Sequence, residues 1–95
     1  LVAITSRAPA SIFGLSHRKG AIRVGLDADL VLVDLERTKT VRADELHSKV
    51  KQSPFEGMRL KGWPTTTLVR GRIVCCEGEL LARPGWGTFA PARTQ

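Results

Sequence analysis

The chain of 95 residues is poor in residues that carry chemistry, with two histidines, two cysteines and no tyrosine. Cys75 and Cys76 are adjacent, so on a strand they would point to opposite faces and could not readily share a metal ion. A disulfide between neighbours would be strained. The cysteine content therefore excludes a disulfide scaffold and favours a reducing, cytoplasmic location, and neither residue has zinc or redox spacing.

Long apolar runs are also absent. The longest, Leu30–Val33, is far too short to cross a bilayer. The apolar start, residues 1–4, has neither a charged region nor a small-residue cleavage site, so it does not predict a signal peptide. Because there is no initial Met and the sequence opens in mid-pattern, we expect the interior of a longer chain. The length fits one small domain, with no membrane partner.

The chain has an excess of positive charge, but its basic residues form no pattern along the sequence. The formal net charge is +6 and the pI about 10.2, which can indicate an anionic partner. The lysines and arginines are scattered, however, and only three phenylalanines and two tryptophans accompany them. Nucleic-acid surfaces usually combine a basic stripe with stacking aromatics, so a solvated basic surface is favoured over nucleic-acid binding.

No catalytic constellation is visible. His17 and His47 belong to no metal-binding spacing, so surface or hydrogen-bonding roles are expected. Asp27 and Asp29 flank a turn and are expected to bond to its backbone. With Asp34 they could form an acid–base pair only beside a base or metal ligand, and none is visible. The serines and glycines match neither a nucleophile elbow nor a phosphate-binding loop.

The start of the chain predicts helical structure that is interrupted near Pro9. Residues 1–4 predict the tail of one helix, and Pro9 suits the first turn of the next. Gly14 can end that helix in a left-handed conformation, whereas Ala8 is a poor N-cap. The expected buried face consists of Ile12, Phe13 and Leu15.

The remainder predicts β-structure. Residues 30–35 are apolar on both faces, so a strand buried on both sides is expected. Turns between β-branched runs, at Arg70–Gly71 and Glu77–Gly78, predict hairpins. Trp63 and Trp86 could form a ligand platform or, more simply, cover an open sheet edge. The other expected elements are a short extended piece at 22–24, a turn at 25–29, a strand at 38–42, a helical turn at 43–46, an irregular loop at 47–62, strands at 65–69, 72–76 and 79–81, and an extended or disordered tail at 88–95.

Three stretches occur in an informative order. They are Gly-Leu-Asp-Ala-Asp-Leu-Val-Leu-Val-Asp at 25–34, Ser-Pro-Phe-Glu-Gly at 53–57, and Thr-Leu-Val-Arg-Gly-Arg-Ile-Val at 67–74. Together they resemble the C-terminal end of the cyclic amidohydrolases, the group of dihydroorotase, hydantoinase (dihydropyrimidinase) and allantoinase. The first stretch is shared widely among amidohydrolases, and the later ones narrow the match, with a lean toward dihydroorotase. One departure is Ala8, where the family usually has Asn before Pro-Ala.

The resemblance implies a structural part of a larger enzyme. Residues 1–20 would close a (β/α)8 barrel, and residues 21–83, with the irregular loop 47–62, would supply strands of a small composite β-sandwich beside it. Residues 84–95 would form a C-terminal tail. The expected fold is therefore mainly β with a short N-terminal helical part. The implied partners are the rest of the parent enzyme and further copies of it.

The chemistry implied by the resemblance lies elsewhere. Such enzymes use one or two divalent metal ions, usually zinc, to activate a water that attacks a cyclic amide. Their ligands precede the position of Leu1, so we expect no catalytic, cofactor-binding or metal-binding residue in this chain. Two alternatives remain open: a non-catalytic scaffold with the same fold, and a basic β-domain that binds nucleic acid. Because a shared sandwich would leave open strand edges and an apolar face, the isolated piece is expected to aggregate, to self-associate or to be only partly ordered.

Overall fold

The computed structural model describes residues 1–93 and begins with a continuous helical segment, residues 3–12. A π-helical turn, Ala3–Arg7, runs directly into the α-helix α1, Ala8–Ile12. The prediction of two helices separated before Pro9 was wrong, because Arg7 and Ala8 are both helical and Ala8 N–H donates to Ala3 O. Proline lacks an N–H and crowds the preceding turn, and the wider π-turn accommodates it.

Gly14 ends the helix as predicted. Its φ is +68°, and the Leu15 N–H donates to Ala10 O at 2.7 Å while the Gly14 N–H donates to Ser11 O at 3.3 Å. This pair of bonds is a Schellman motif, which satisfies carbonyls left open at a helix end. The predicted buried face of Ile12, Phe13 and Leu15 is not formed within this chain: Ala10 is buried, Leu15 is half-buried, and Ile12 and Phe13 are exposed.

Four antiparallel strands follow in sequence order. The predicted class, mainly β with a short N-terminal helix, is confirmed. Among residues 1–93, no helix is long and apolar enough to cross a membrane. The strands are β1 (Leu30–Thr40), β2 (Arg59–Val69), β3 (Arg72–Cys76) and β4 (Glu79–Leu80).

Strand β1 joins what the sequence predicted as two strands, residues 30–35 and 38–42. Its register against β2 shifts between Asp34 and Thr38. There, Asp34 Oδ1 accepts the Glu36 N–H at 3.0 Å and the Arg37 N–H at 3.3 Å. The carboxylate thus satisfies backbone donors that leave the ladder, and the strand continues through the irregularity.

The loop between β1 and β2 is shorter than predicted. β2 begins at Arg59, inside the expected irregular loop 47–62, because residues 38–40 of β1 pair with 59–61. The predicted helical turn is present as a 3-10 turn, Ala43–Glu45. The Glu56 carboxylate accepts its Ala43 N–H, and the Gly57 N–H donates to Val41 O at 2.8 Å. The Ser-Pro-Phe-Glu-Gly stretch therefore closes this loop.

The two predicted hairpin turns are confirmed. Arg70 and Gly71 have φ of 46° and 80°, and Glu77 and Gly78 have φ of 50° and 80°. Positive φ at both central residues defines the type I′ turn, whose twist matches that of the strands. A left-handed conformation costs a residue other than glycine about 1–2 kcal/mol, so Arg70 and Glu77 are both strained.

The chain buries little of its apolar surface by itself. In the described residues, the buried apolar side chains are Ala10, Val41 and Ala43. The prediction that β1 is buried on both sides is not met within this chain, because Val31, Leu32 and Val33 are 54%, 56% and 51% exposed. The stretch 22–24 forms no strand, and Ile22 and Val24 are also exposed.

Candidate functional site at the junction of the helical segment and the sheet

No strand packs directly against the helical segment within residues 1–93. The segment is joined to the sheet through residues 13–29, which lead from α1 to β1, and through residues 84–93, which follow β4 and return to the end of α1. We call the place where these paths meet the β2–β3 turn the junction. Its polar residues are Arg18, Lys19, Asp27, Asp29, Arg70 and Trp86.

The junction contains a compact ionic network. Arg18 Nη2 donates to Asp27 Oδ2 at 2.9 Å, and Arg18 Nε donates to the same oxygen at 3.2 Å. Lys19 Nζ lies 2.8 Å from that oxygen and also donates to Asp29. The expectation that the two aspartates bond to their own turn was wrong, since the partners of their carboxylates lie eight or more residues away.

Asp29 carries the network to the sheet. Its Oδ1 accepts the Arg70 N–H at 2.9 Å, and the neighbouring Gly71 N–H donates to Ala28 O at 2.9 Å. The loop before β1 is thereby attached to the β2–β3 turn. Gly71 also lies close to Ala28, because a Cβ on it would be 4.0 Å from the Ala28 Cβ.

The electrostatics of this network favour fixed charges. The hydrogen bond to Asp27, followed by that to Asp29, raises the pKa of Lys19, and the same Lys19 contact lowers the pKa of Asp27. Partial burial opposes ionisation of Asp29, but bonds from Lys19 and the Arg70 N–H outweigh it and leave its pKa lowered. General acid–base catalysis needs pKa values close to the working pH. The shifts move the pKa values of Lys19, Asp27 and Asp29 further from neutral pH, which favours a structural role for these groups.

Trp86 occupies the other side of Arg70. The Arg70 guanidinium lies 4.5 Å from the centre of the indole ring and the Arg72 guanidinium 5.0 Å. The indole Nε1–H donates to Val69 O at 2.9 Å. Cation–π contacts and a satisfied N–H hold the ring against the hairpin. The arrangement favours a cover on the sheet over a ligand platform.

Trp63, the second candidate for a platform, is held in a similar way. Its Nε1–H donates to Leu60 O at 2.6 Å, and Lys39 Nζ lies 5.6 Å from the ring centre. Both tryptophans therefore engage backbone carbonyls and cations of this chain.

The residues considered for metal binding are not brought together. Within residues 1–93, no three His, Cys, Asp or Glu side chains are grouped so that they could hold a metal ion. His17 lies half-buried in the turn after α1, and His47 Nε2 lies 3.1 Å from Gly78 O. Cys75 and Cys76 are free thiols. These residues do not fit the metal centre that the resemblance implies for the parent enzyme.

Sequence reasoning missed Arg70 as more than a turn residue. Its N–H, its guanidinium and the carbonyl of the preceding Val69 all take part in the junction. One signal was available: the first position of a type I′ turn strongly prefers Asn, Asp or Gly, and this turn has Arg.

Comparison with known proteins finds similarity to hydantoinases, dihydropyrimidinases and dihydroorotases. The L-hydantoinase of Paenarthrobacter aurescens is 42% identical over 93 residues, covering 98% of this chain and 20% of that protein. The dihydroorotase of Methanothermobacter thermautotrophicus is 48% identical over 84 residues, covering 88% and 19%. The solved L-hydantoinase (dihydropyrimidinase) from Arthrobacter aurescens superposes with a TM-score of 0.90 at 43% identity, over 94% of this chain and 20% of that one.

The chain thus spans about a fifth of the length of the curated relatives that it matches. The expected resemblance to the hydantoinase, dihydropyrimidinase and dihydroorotase group is confirmed. The family model described as "Amidohydrolase family" matches residues 1–74, well over half of the sequence, and the chain therefore belongs to the amidohydrolase family.

Proposed function

We propose that this chain is the C-terminal structural segment of a metal-dependent hydrolase that opens cyclic amides. The observation that carries the proposal is the close match, over nearly the whole chain, to hydantoinases and dihydroorotases of which it covers about a fifth. The ring-opening chemistry then belongs to the remaining four fifths. Residues 1–93 contribute the fold around it.

The open surfaces of the sheet support this structural role. β1 lies at one end of the strand order and has β2 as its strand neighbour among the described residues. Its apolar side chains Val31, Leu32, Val33 and Leu35, which lie on both faces, are more than half exposed, and Leu30 is half-buried. Sheets need a second layer to bury such a surface, and exposed edges invite pairing with another strand. We propose that the rest of the parent chain supplies both.

The proposed division of the chain is the one that the family resemblance implies, and the exposed surfaces support it. Residues 1–20 end the barrel, where the exposed side chains of Ile12 and Phe13 would meet neighbouring barrel elements. Residues 21–83 form the sandwich strands with their connecting loop, and residues 84–95 form the tail. Thr94 and Gln95 lie outside the described residues.

The catalytic centre is proposed to lie wholly outside this chain. The divalent metal ions of the parent, one or two and usually zinc in such enzymes, would be held by residues that precede Leu1. A cytoplasmic location and assembly into a homo-oligomer complete the proposal. The substrate proposed first is dihydroorotate, because Ser48-Lys49 and Ser53-Pro54-Phe55 resemble the dihydroorotase sequence. Hydantoins and dihydropyrimidines are the neighbouring class of substrates that the matched relatives represent.

The test is a hydrolysis assay on the full-length protein that carries this segment. Dihydroorotate, hydantoin, dihydrouracil and allantoin are compared, before and after metal removal and after zinc is restored. Ring opening that disappears with the metal and returns with zinc supports the proposal, and the preferred ring identifies the substrate. A folded, metal-loaded protein that opens none of these rings would overturn it in favour of the non-catalytic scaffold.

A second arm tests the structural assignment. The polypeptide 1–95 produced alone is expected to open none of these rings and to self-associate, because the β1 surface has no cover. Light scattering measures the association. A monomer with a single sharp unfolding transition would contradict the assignment.

A further inference from the structure

The tail after β4 is fixed at both ends although it has no regular secondary structure. Residues 84–93 leave the sheet beside the β2–β3 turn and reach the end of α1. An extended or disordered tail was predicted from residue 88 onward. The described part, residues 88–93, has no regular secondary structure, and the contacts at the two ends of the tail give it a defined course.

At the sheet end, contacts of Arg70 and Trp86 attach the tail to the β2–β3 hairpin. The Trp86 Nε1–H donates to Val69 O. In return, the Arg70 guanidinium stacks on the Trp86 ring, donates to Trp86 O, and donates to Thr88 Oγ1 at 3.1 Å. One side chain thereby engages an aromatic ring, a carbonyl and a hydroxyl of the tail.

At the helix end, the tail meets the glycine that terminates α1. The Arg93 N–H donates to Gly14 O at 2.8 Å. A Cβ on Gly14 would lie 2.6 Å from Arg93 O and 3.3 Å from the Ala92 Cβ. The absence of a side chain at residue 14 thus serves both the left-handed helix end and the close approach of the tail.

Both connections between the helical segment and the sheet converge on Arg70. Its N–H is held by Asp29, the last carboxylate of the ionic network, and its side chain holds the tail. Arg70 adopts φ +46°, where Asn or Gly is favoured. Strain at a residue whose side chain makes several directed contacts points to a role for that side chain.

We propose that residues 84–93 form a strap that clamps the helical segment to the sheet, and that Arg70 is the positioning residue that closes it. The strap spans two parts with no direct packing between them in residues 1–93. This inference does not depend on the substrate or on the activity of the parent, because its readout is the local opening of the strap.

The decisive variant is Arg70→Asn in the full-length protein. Asn-Gly is the preferred type I′ pair and retains the backbone N–H, so the turn and its bond to Asp29 are preserved while the guanidinium is lost. Hydrogen–deuterium exchange is followed in peptides covering residues 86–93, 10–17 and 66–76. We expect exchange in the first two to accelerate by about tenfold and exchange in the hairpin to stay unchanged.

Two further variants separate closure of the strap from general loosening. Trp86→Ala should accelerate exchange in the same two peptides. Combined with Arg70→Asn, it should add little, because the strap is already released. Arg72→Gln removes a guanidinium that contacts the Trp86 ring, whereas the hydrogen bonds from the hairpin guanidinium to Trp86 O and Thr88 come from Arg70. This variant should change the exchange rate of the strap by about twofold or less.

Three results would overturn the proposal. The first is an exchange rate in residues 86–93 of the Arg70→Asn variant that equals the rate in the unaltered protein. The second is acceleration of the hairpin as large as that of the strap, which would make Arg70 only a turn residue. The third is fully additive acceleration in the double variant, which would mean that the two side chains act independently.

Discussion

The sheet and the helical segment are held by different kinds of contact. The sheet is built from continuous antiparallel pairing and two tight turns formed by neighbouring residues. Within the described residues 1–93, the helical segment has no strand packed against it and is attached by the ionic network and by residues 84–93. Backbone ladders depend little on pH or salt, whereas exposed ion pairs depend on both. The two regions should therefore respond separately to perturbation.

The largest predicted effect breaks the attachment at the helix end. Gly14→Ala places a Cβ at positive φ and within 2.6 Å of Arg93 O, so the free energy of local opening for residues 10–20 and 86–93 should fall by about 2 kcal/mol or more. Amide exchange measures it. The matched control is Gly78→Ala, at φ +80° with nothing within 4 Å of its Cβ. It should loosen only the β3–β4 turn, by about 1 kcal/mol. Equal opening of the tail in both variants would contradict the comparison.

A smaller effect is expected on the sheet side from Glu56→Ala. The variant leaves the Ala43 N–H without its charged acceptor, and local opening of residues 42–58 should become easier by about 1–2 kcal/mol. Glu56→Gln is the control, because it keeps an oxygen acceptor and should lose less. Exchange at the Ala43 amide reports the change. Loosening of the helical segment by the same amount would show that the two regions are not separable.

The smallest effect is expected from pH, which acts on the ionic network. The pKa values of Asp27 and Asp29 are lowered, so their stabilisation is present above the ordinary value of 3.8 and lost as pH falls through the lowered values. The pKa of Lys19 is raised, so its contribution is present below 10.5 and lost as pH rises through the raised value. Partly exposed pairs are screened, so the change is small.

Limited proteolysis within residues 13–29 checks this pH dependence. Cleavage should be slowest between the two limits. Asp27→Asn should flatten the acid side of the profile, since it removes one of the titrating carboxylates. An unaltered acid limb in this variant would mean that Asp27 does not hold the loop.

Local signals predicted the hairpins because their causes are local. The β-branched runs on either side of Arg70–Gly71 and Glu77–Gly78 leave few conformations for the connecting pair, and β3 has the predicted bounds 72–76. Gly14 ends its helix for the same reason. In each case, the residues that fix the conformation lie within a few positions of one another.

The errors lie where distant residues compete with local preference. Pro9 predicts a helix start, but the preceding residues remain helical through a π-turn. Asp27 and Asp29 predict turn caps, but their carboxylate oxygens instead accept hydrogen bonds from the side chains of Arg18 and Lys19. The site itself was least accessible to sequence reasoning, because Arg70 meets Asp29 across 41 positions and Trp86 across 16.

By itself, the sequence determined the family, the antiparallel β character, the positions of the two hairpin turns and the absence of a recognisable catalytic motif in this chain. These follow from residue order and short-range sterics, which act without knowledge of the rest of the fold. The tertiary structure decided that β1 is one strand, that the carboxylates serve the junction, and that the tail returns to Gly14. Such contacts form only after the chain brings distant residues together, because their geometry depends on the whole fold and on no single segment.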